Sequence, residues 1–549
     1  MPSADDSPAR LDRVTVAVLL VAALALLVRV VALGERTVHW DEGRVGYWTL
    51  RFLATGVFEY RPVAGGPFLY VVDRAVFAAL GTSDATARLV VAAVGGLAPL
   101  VALVFRGRLR GVETVLLAAV LGASPLFVYY SRFLRADVPL AVFALLAVAC
   151  CYRAVDTGSK RGLYAAGLAV GLAATTSAFF VGYVACWGVA AALTFDHYRL
   201  LGEGAVARER LATAERALRA RGRDVASAVG LALAVVLFFY APRAGGGEGP
   251  GLWKPTTFPQ VVDAAFAGTV AKFVGVRVVG RRHDGTHPFL PFVRDYAEVL
   301  AAVSLVVVGL AAVAFLRDRY GTREPRPIVA FHAYWAGASL FVFPVVTEVS
   351  APWVALHTLV ALAVPAAVGA GALVRLGRRA AARDDAASVA AVVVLALALT
   401  GHVGAVTASN VYASPSPENP MVHYAQPADD LNPLIEDVSV AIEGNDGTDV
   451  VFYGERFVDG YRADADRPPV NDEWGNRLPL PWYFERVGAE TDGVYDAAAL
   501  DERASTPPVV VADPNARSTL DSRLEGYDAR TYRLALWNRE VVVYVRSSA

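Results

Sequence analysis

The feature that most constrains this chain is a series of apolar runs, each about as long as a membrane is thick. A helix needs about 20 mainly apolar residues to cross the hydrocarbon core of a bilayer. Within the 549 residues, the runs that meet this length are 14–34, 86–105, 112–130, 137–155, 162–178, 179–195, 225–241, 297–316, 328–346, 353–374 and 387–407. The charged fraction of 19% is lower than the roughly 25% of soluble domains. We therefore predict a polytopic α-helical membrane protein with about 11 transmembrane helices.

The arginine-rich loops predict how these helices are oriented. If the runs alternate in direction, the loops 106–111, 156–162, 199–223, 317–327 and 375–385 all fall on one side. Short loops rich in Lys and Arg stay in the cytoplasm. This side is therefore predicted to be cytoplasmic, together with the N-terminus, and the first run is interpreted as a retained helix. The charge-laced segment 203–223 is typical of a helix on the cytoplasmic surface.

The other side receives four loops and the C-terminal region. The loops are 35–85, 131–137, 242–296 and 347–353. The first is too long for a tight turn and contains the apolar stretches "GRVGYWTLRFLA" and "PFLYVVDRAVFAAL". Mixed apolar and basic character favours helices that lie in the membrane interface.

Residues 408–549 are predicted to form an acidic extracellular α/β domain, separate from a membrane domain at 1–407. From Asn410 onward the chain has 25 Asp and Glu against 12 Arg and no Lys. The segments 449–455, 507–513 and 539–546 are typical of short β-branched strands, with helix-forming stretches between them. Only three lysines occur in the whole chain, and this preference for Arg with an acidic soluble part indicates a halophile of GC-rich genome.

Cysteine usage excludes two kinds of site. Cys150, Cys151 and Cys186 all lie inside apolar runs. They are interpreted as small core residues, so the sequence predicts neither a disulfide framework nor a cysteine metal cluster.

An acidic pair follows directly on the first apolar run. Asp41 and Glu42 stand in "HWDEGRVGYW" beside Arg44 and several aromatic residues. One interpretation is local: Asp41 caps a helix that begins at Glu42 or Gly43, and Glu42 favours its positive end. The other is functional, since carboxylates at membrane level are expensive to desolvate and usually serve a site.

The second polar cluster is the link "YYSRFLRADVP" between two predicted helices on the outer side. It contains Arg132, Arg135 and Asp137. The arginines either anchor the helix ends among lipid headgroups or bind a phosphate or a facing carboxylate through their planar forks. Two acids with arginines suggest a site that deprotonates or orients a nucleophile and stabilises a departing phosphate.

Further polar groups on the outer side are weaker candidates. A divalent cation between Asp41 and Asp137 is possible, although no ligand spacing specifies it. His283 and His287 are candidate accessory residues, with a plain polar loop as the alternative. Glu348 is a third, with helix capping as the alternative.

The quoted segments together resemble a known family. "HWDEGRVGYWTL", "GGPFLYV", "YYSRFLRADV", "SAPWVALH" and "NPMVHYAQPADDL" are similar to the archaeal flippase-activity-associated proteins. More broadly, the chain resembles polyprenyl-phosphate-dependent membrane glycosyltransferases of the GT-C fold, among them protein O-mannosyltransferases and lipid A aminoarabinose transferases.

The resemblance implies an enzyme that transfers a sugar from a polyprenyl (dolichyl) phosphate to a glycan, lipid or protein acceptor at the outer face. Carried over by position, Asp41 matches the candidate base with Glu42 beside it, Asp137 the second acid, and Arg135 a phosphate contact. Arg132 and Arg44 are further phosphate candidates. Relatives are expected to carry a lysine just before the Pro-Trp pair, where this chain has "SA". If that lysine touches phosphate, another cation must act here: Arg132, Arg294 or Lys272.

Two alternatives from other classes remain. One is a flippase for lipid-linked oligosaccharides, or a flippase accessory without transferase activity. Against it, polar residues are sparse in the middles of the helices, where a headgroup path would need them. The other is a binding module whose acidic domain recruits a glycan or protein acceptor. No nucleic-acid partner is predicted.

Overall fold

The computed structural model describes residues 11–62, 65–200, 202–247, 249–275, 288–321, 325–347, 349–412, 416–458, 472–503, 505–536 and 539–547. The helices up to the predicted link are α1 (Arg13–Val30), α2 (Trp40–Thr55), α3 (Pro67–Leu80), α4 (Asp84–Leu97), α5 (Val101–Val104), α6 (Gly111–Ala123) and α7 (Pro125–Tyr130). After the link come α8 (Asp137–Thr157), α9 (Lys160–Thr176), α10 (Phe180–Leu200), α11 (Gly204–Ala220), α12 (Gly222–Tyr240), α13 (Phe258–Asp263), α14 (Thr269–Phe273), α15 (Phe289–Gly321), α16 (Pro327–Val346), α17 (Ala355–Ala381) and α18 (Ala386–Val406).

The protein is a multi-pass membrane protein. Within the described residues, eight helices are long and apolar enough to cross a bilayer: Arg13–Val30, Asp84–Gly107, Asp137–Thr157, Gly222–Tyr240, Phe289–Gly321, Pro327–Val346, Pro352–Ala381 and Ala386–Val411. The last of these has no buried residue in its most apolar window, although it is apolar on every side. A helix of that kind is stable only when lipid surrounds it.

The predicted count of eleven spans is not confirmed. All eleven predicted runs are largely helical, but those at 112–130, 162–178 and 179–195 are not among the eight candidate spans of the described residues. The first of them is divided, because α6 ends at Ala123 and Pro125 starts a new helix. Proline lacks the N–H that would continue the preceding helix.

The arginine-rich loops meet at one end of the helix bundle. Arg326 and Arg375 both pair with the buried Glu113, at 3.1 and 2.9 Å. Arg108 pairs with Asp156 at 2.6 Å. The predicted surface helix in 203–223 is α11. The alternation deduced from the sequence therefore brings the expected loops together.

The C-terminal region contains a five-stranded mixed sheet. Its elements are α19 (Asn432–Ala441), β3 (Val450–Tyr453), α20 (Glu455–Val458), α21 (Asp472–Gly475), α22 (Leu480–Arg486), β4 (Thr491–Val494), α23 (Ala497–Asp501), β5 (Val509–Ala512), α24 (Arg517–Leu520), β6 (Tyr527–Ala535) and β7 (Arg539–Arg546). The strand order is β4-β3-β5-β7-β6, with β3 parallel to both neighbours and β7 antiparallel to both of its own. The three predicted strands are β3, β5 and β7. The sequence missed β4 and β6. Two further strands, β1 (Val57–Phe58) and β2 (Arg243–Ala244), pair outside this sheet.

This sheet region is docked against the membrane helices through α22. Asp84, at the start of α4, accepts hydrogen bonds from Trp482 Nε1 at 2.9 Å, Tyr483 Oη at 3.1 Å and Arg486 Nη1 at 2.6 Å. A Cβ atom at Gly46 of α2 would lie 2.5 Å from the Trp482 ring, so this close approach requires glycine. The domain boundary near residue 407 stays a prediction, but the two parts pack closely where α2 begins.

Candidate active site

The acidic pair lies in the first turn of α2, at the interface with the C-terminal region. His39 is the N-cap of this helix, and its Nδ1 accepts a hydrogen bond from the Asp41 N–H at 3.1 Å. The helix begins at Trp40. The prediction that Asp41 caps a helix from Glu42 or Gly43 is therefore wrong. Because the His39 ring takes the capping position, the Asp41 carboxylate is available for other contacts.

Glu42 is buried and fully engaged by the protein. Its carboxylate accepts hydrogen bonds from Arg88 at 2.7 and 2.9 Å, from the Leu134 N–H at 2.7 Å and from the His39 N–H at 2.8 Å. Burial acts to raise the pKa of Glu42, but Arg88 and Arg36 hold it at about 2. Glu42 is therefore ionised, and it fixes the 131–137 link against the start of α2.

Arg135 joins the two aspartates that the sequence predicts to be catalytic. Its Nη1 donates to Asp41 Oδ2, and its Nε donates to Asp137 Oδ2 at 3.0 Å. The guanidinium carbon lies 3.6 Å from the ring centroid of Trp353, so the plane of the fork is stacked on an aromatic face. The three predicted site residues Asp41, Arg135 and Asp137 are thus brought together in one cluster.

A buried histidine stands behind Asp137. His357 Nε2 lies 3.6 Å from Asp137 Oδ1, just beyond hydrogen-bond distance. On its other side, His357 Nδ1 is 2.8 Å from the Tyr183 hydroxyl, and its ring stacks on Phe343 with centroids 4.3 Å apart. These contacts fix the position of the His357 ring, and this ring restricts the rotation of the Asp137 carboxylate.

The charge state of Asp41 follows from its neighbours. Its side chain is 22% exposed. Burial acts to raise the pKa of Asp41, but Arg135, and then His39 and Arg44, hold it at about 2. Asp41 is therefore an anion at neutral pH. It is a weak base for as long as Arg135 remains bound to it.

These residues border a cavity of about 670 Å³. Charged side chains of α2 and the link form one part of its wall. The apolar part comes from helix ends and the adjoining segments: Phe179, Val181, Phe273, Val345, Val346 and Val349. This volume lies within the roughly 300–1,000 Å³ of small-molecule sites. The mixed lining suits a ligand with a charged headgroup and an apolar chain.

Two more guanidinium groups line this cavity. Arg44 stacks on the Trp40 ring at 4.2 Å, and Arg539, the first residue of β7, donates to the Gly475 carbonyl at 2.7 Å. Burial, and then repulsion by Arg456 and Arg44, lower the pKa of Arg539 to about 10. Arg539 pairs with no carboxylate among the described residues. A positive group in this setting favours an anionic ligand.

A pair of histidines forms a further part of the wall. His39 Nε2 lies 3.3 Å from Nδ1 of His423, which belongs to the segment after the last membrane helix. The rings of Trp353 and Tyr424 pack on His423 with centroids 4.5 and 4.0 Å away. Burial lowers the pKa of His39 to about 4 and that of His423 to about 2. Both rings are therefore neutral at physiological pH.

Arg132, another predicted phosphate contact, does not line the cavity. It donates to the carbonyls of Val31 and, at 2.8 Å, Ala32, just past the C-terminus of α1. Its guanidinium carbon lies 4.7 Å from the Tyr412 ring centroid. Arg132 therefore secures the end of α1.

The other cations and accessory residues are placed as follows. Lys272 pairs with Glu59, and the exposed Arg294 pairs with Glu298 at 2.7 Å. Neither Lys272 nor Arg294 lines the cavity, so neither replaces the lysine expected from the resemblance. The accessory candidates His283, His287 and Glu348 lie outside the described residues.

The described residues contain no group of three or more His, Cys, Asp and Glu that could hold a metal ion. Asp41 and Asp137, the predicted ligands, are instead bridged by Arg135. The guanidinium thus occupies the position between the two carboxylates that a cation was predicted to take.

Trp353, His423 and Arg539 line the cavity and His357 stands behind Asp137, but none of these residues was predicted as a site residue. Trp353 and His357 lie within "SAPWVALH", and His423 lies within "NPMVHYAQPADDL". The sequence flagged both segments by resemblance but assigned no role to these side chains. Nothing in the sequence marked Arg539, since an arginine at the start of a β-strand is ordinary.

Two family models match parts of the chain. Residues 65–203 match the model described as dolichyl-phosphate-mannose-protein mannosyltransferase, and residues 431–546 match the Agl23 flippase-associated protein C-terminal domain. No functionally curated protein is detectably similar in sequence. The two matches confirm the resemblances drawn from the sequence.

Solved structures establish the fold. ArnT from Cupriavidus metallidurans bound to undecaprenyl phosphate is 16% identical, with a TM-score of 0.57 over 97% of this chain and 99% of that chain. The apo state of the same protein gives 16% identity and a TM-score of 0.56, over 97% and 98%. The S. cerevisiae protein O-mannosyltransferase Pmt1-Pmt2 complex bound to the sugar donor is 18% identical over 43% of this chain and 34% of that chain, with a TM-score of 0.33. The chain thus has the ArnT-like GT-C fold that the sequence predicted.

Proposed function

We propose that this protein transfers a sugar from a polyprenyl (dolichyl) phosphate to a glycan, lipid or protein acceptor at the outer face of the membrane. The observation that carries the proposal is the cavity wall. Asp41, Arg135 and Asp137 form one charged cluster, Arg44 and Arg539 stand nearby, and an apolar surface continues from them. A lipid-linked phospho-sugar has the same division into an apolar chain and an anionic head.

The arginines supply the positive charge that would bind the donor phosphate. Three guanidinium groups (Arg44, Arg135 and Arg539) and two carboxylates (Asp41 and Asp137) line the cavity, so its wall carries one positive charge in excess. A donor phosphate diester carries a single negative charge and would satisfy this excess. We therefore assign the phosphate to Arg44 and Arg539, with Arg135 as the group that reaches it from the link.

The proposed reaction is an inverting displacement. The Asp41 carboxylate takes the proton of the acceptor hydroxyl, and that oxygen attacks the anomeric carbon of the donor sugar. The bond between this carbon and the phosphate oxygen breaks, and polyprenyl phosphate leaves with the electron pair. Positive charge beside the leaving phosphate stabilises the transition state.

Arg135 links donor binding to base strength. In the structure it holds the pKa of Asp41 at about 2, which leaves Asp41 a poor base. A donor phosphate would compete with Asp41 for the guanidinium. Because burial alone raises the pKa of a carboxyl group, Asp41 becomes a stronger base as Arg135 turns to the phosphate.

The comparisons support the lipid-linked donor. One matching family model names a dolichyl-phosphate-mannose donor, and the ArnT structure holds undecaprenyl phosphate. The outer location, with a cytoplasmic N-terminus and an extracellular C-terminal region, is supported by the arginine-rich end of the bundle. The divalent cation stays a prediction, and full transfer in excess EDTA would contradict it.

A second candidate function is that of a flippase for lipid-linked oligosaccharides, or of a flippase accessory, without transferase activity. It is favoured by the match of residues 431–546 to a flippase-associated domain. Translocation of a lipid-linked oligosaccharide by the purified protein in liposomes, without any loss of donor sugar, would support this function in place of transfer.

Asp41→Asn tests the proposed reaction. Purified wild-type and variant proteins are incubated with dolichyl-phosphate sugars and membrane acceptors, and loss of lipid-linked sugar is measured. The expected result is a fall of about 10³-fold or more in transfer, because the amide cannot take the proton. The matched control is Asp446→Asn, an exposed aspartate of the C-terminal region, which should transfer normally. Full activity of Asp41→Asn would overturn the mechanism.

A further inference from the structure

The pair of histidines at the cavity wall has a hydrogen-bond pattern that leaves one donor unused. The Asp41 N–H donates to His39 Nδ1, so the proton of the neutral His39 ring lies on Nε2. This Nε2–H then donates a hydrogen bond to Nδ1 of His423, 3.3 Å away. His423 Nδ1 also accepts from the Ala425 N–H at 3.3 Å. The proton of neutral His423 is therefore on its own Nε2.

Among the described residues, this last N–H has no hydrogen-bond partner. The His423 Nε2 atom is buried. The whole side chain is 9% exposed, yet it borders the cavity. A buried donor without an acceptor destabilises a protein, so each such group calls for an explanation such as a bound water, an ion or a ligand. The chain His39–His423 thus ends in an unused donor on a residue that borders the cavity, with its direction fixed by the Asp41 and Ala425 backbone.

The surroundings of His423 indicate what kind of oxygen it binds. The rings of Trp353 and Tyr424 pack on it, and its hydrogen-bond partners among the described residues are the neutral His39 ring and the Ala425 N–H. Aromatic walls with a neutral donor suit the hydroxyl-bearing ring of a sugar. Phosphate is better served by the guanidinium groups of Arg44 and Arg539.

We infer that His423 Nε2–H donates a hydrogen bond to one hydroxyl oxygen of the donor sugar, and that the segment after the last membrane helix thereby completes the sugar subsite. The inference rests on the proposed function. It makes His423 a specificity-determining residue, positioned by His39, and gives the C-terminal side of the chain a direct contact with the substrate.

The test measures donor binding, which needs neither an acceptor nor turnover. Purified full-length protein is titrated with dolichyl phosphate mannose, dolichyl phosphate glucose and the monodeoxy analogues of each. His423→Phe keeps a ring but removes the donor, and should weaken binding of the preferred donor by about 2- to 12-fold. His423→Gln restores an N–H near Nε2 and should recover most of this loss. His402→Phe, on the exposed surface of α18, is the matched control and should bind normally.

The deoxy analogues separate recognition from a general effect on the fold. Wild type should lose affinity for one monodeoxy donor, and His423→Phe should show no additional loss with that same analogue. Equal donor binding by wild type and His423→Phe would overturn the inference. So would a loss of affinity from His423→Phe that simply adds to the loss from every deoxy analogue. Binding without transfer would remove the proposed function alone. If the wild type transfers sugar and His423→Phe binds the donor as tightly as wild type, the inference alone is removed. If the wild type binds no donor, both the inference and the proposed function are removed.

Discussion

Asp41 and Glu42 are consecutive residues, yet they belong to regions of different character. Glu42 is 1% exposed, and with Arg88 it forms what we term the closed cluster. Asp41 is 22% exposed, and with Arg135 and Asp137 it forms the open cluster at the cavity. The difference lies in how many protein donors each carboxylate meets. Two backbone N–H groups and a bidentate guanidinium engage Glu42, whereas Asp41 depends mainly on one guanidinium that a ligand can also bind.

The two clusters share one short segment. Leu134 donates its N–H to Glu42, and the next residue, Arg135, reaches Asp41 and Asp137. The closed cluster therefore sets the position of the guanidinium on which the open cluster depends. We infer that Glu42 acts as a positioning residue, although the sequence grouped it with the catalytic acids.

Glu42→Gln should have the largest effect on folding. The change leaves the guanidinium of the fully buried Arg88 without its counter-charge, and breaking such a pair costs about 3–5 kcal/mol. The yield of folded protein in detergent and the midpoint of thermal unfolding should both fall sharply. Asp41→Asn, made in parallel, should leave both values near wild type and remove activity instead. A stable Glu42→Gln protein would show that the two clusters do not differ as described.

The acid dependence of stability provides a second measure of the closed cluster. The folded pKa of Glu42 is about 2, below the value of about 4.3 in an unfolded chain. Its ionisation therefore stabilises the fold above pH 4.3, and this contribution is lost as the pH falls from there toward 2. Glu42→Gln should show less of this loss than wild type.

The sequence predicted the open cluster better than the closed one, for a physical reason. Asp41, Arg135 and Asp137 stand in two loops that the predicted alternation of helices places on one side of the membrane, so topology alone brings them to the same side. The partner of Glu42 is Arg88, which lies inside a run that hydropathy counts only as membrane-spanning. Likewise, Arg539 and His423 reach the cavity through the docking of α22 on α2, a tertiary contact that no periodicity reveals. Helix lengths were overestimated where Pro125 divides an apolar run.

Arg135→Gln should have the next largest effect, this time on catalysis. Removing a charged donor beside a developing negative charge lowers kcat by about 10²–10³-fold. The acid limb of the pH profile should also shift to higher pH. Without the guanidinium that holds the pKa of Asp41 at about 2, burial raises that pKa. Transfer rates measured from pH 4 to pH 8 show both changes. Arg533→Gln, which alters an arginine with 58% side-chain exposure, is the control for the loss of a positive charge. An unshifted acid limb in Arg135→Gln would contradict the role of Asp41 as the base.

Arg539→Gln should have the smallest of these effects, on binding of the donor phosphate. The residue lies at the end of β7 nearest the cavity, and its charge has no carboxylate partner among the described residues. Affinity for polyprenyl phosphate without sugar should fall about 10-fold, within the range of a charge-assisted hydrogen bond. Affinity for the uncharged polyprenol should not change. Arg546→Gln, at the far end of the same strand, removes an equal charge outside the cavity and should leave both affinities unaltered. If the two variants lose phosphate affinity equally, Arg539 acts only through the overall positive charge of its surroundings, and Arg44 and Arg135 alone contact the phosphate.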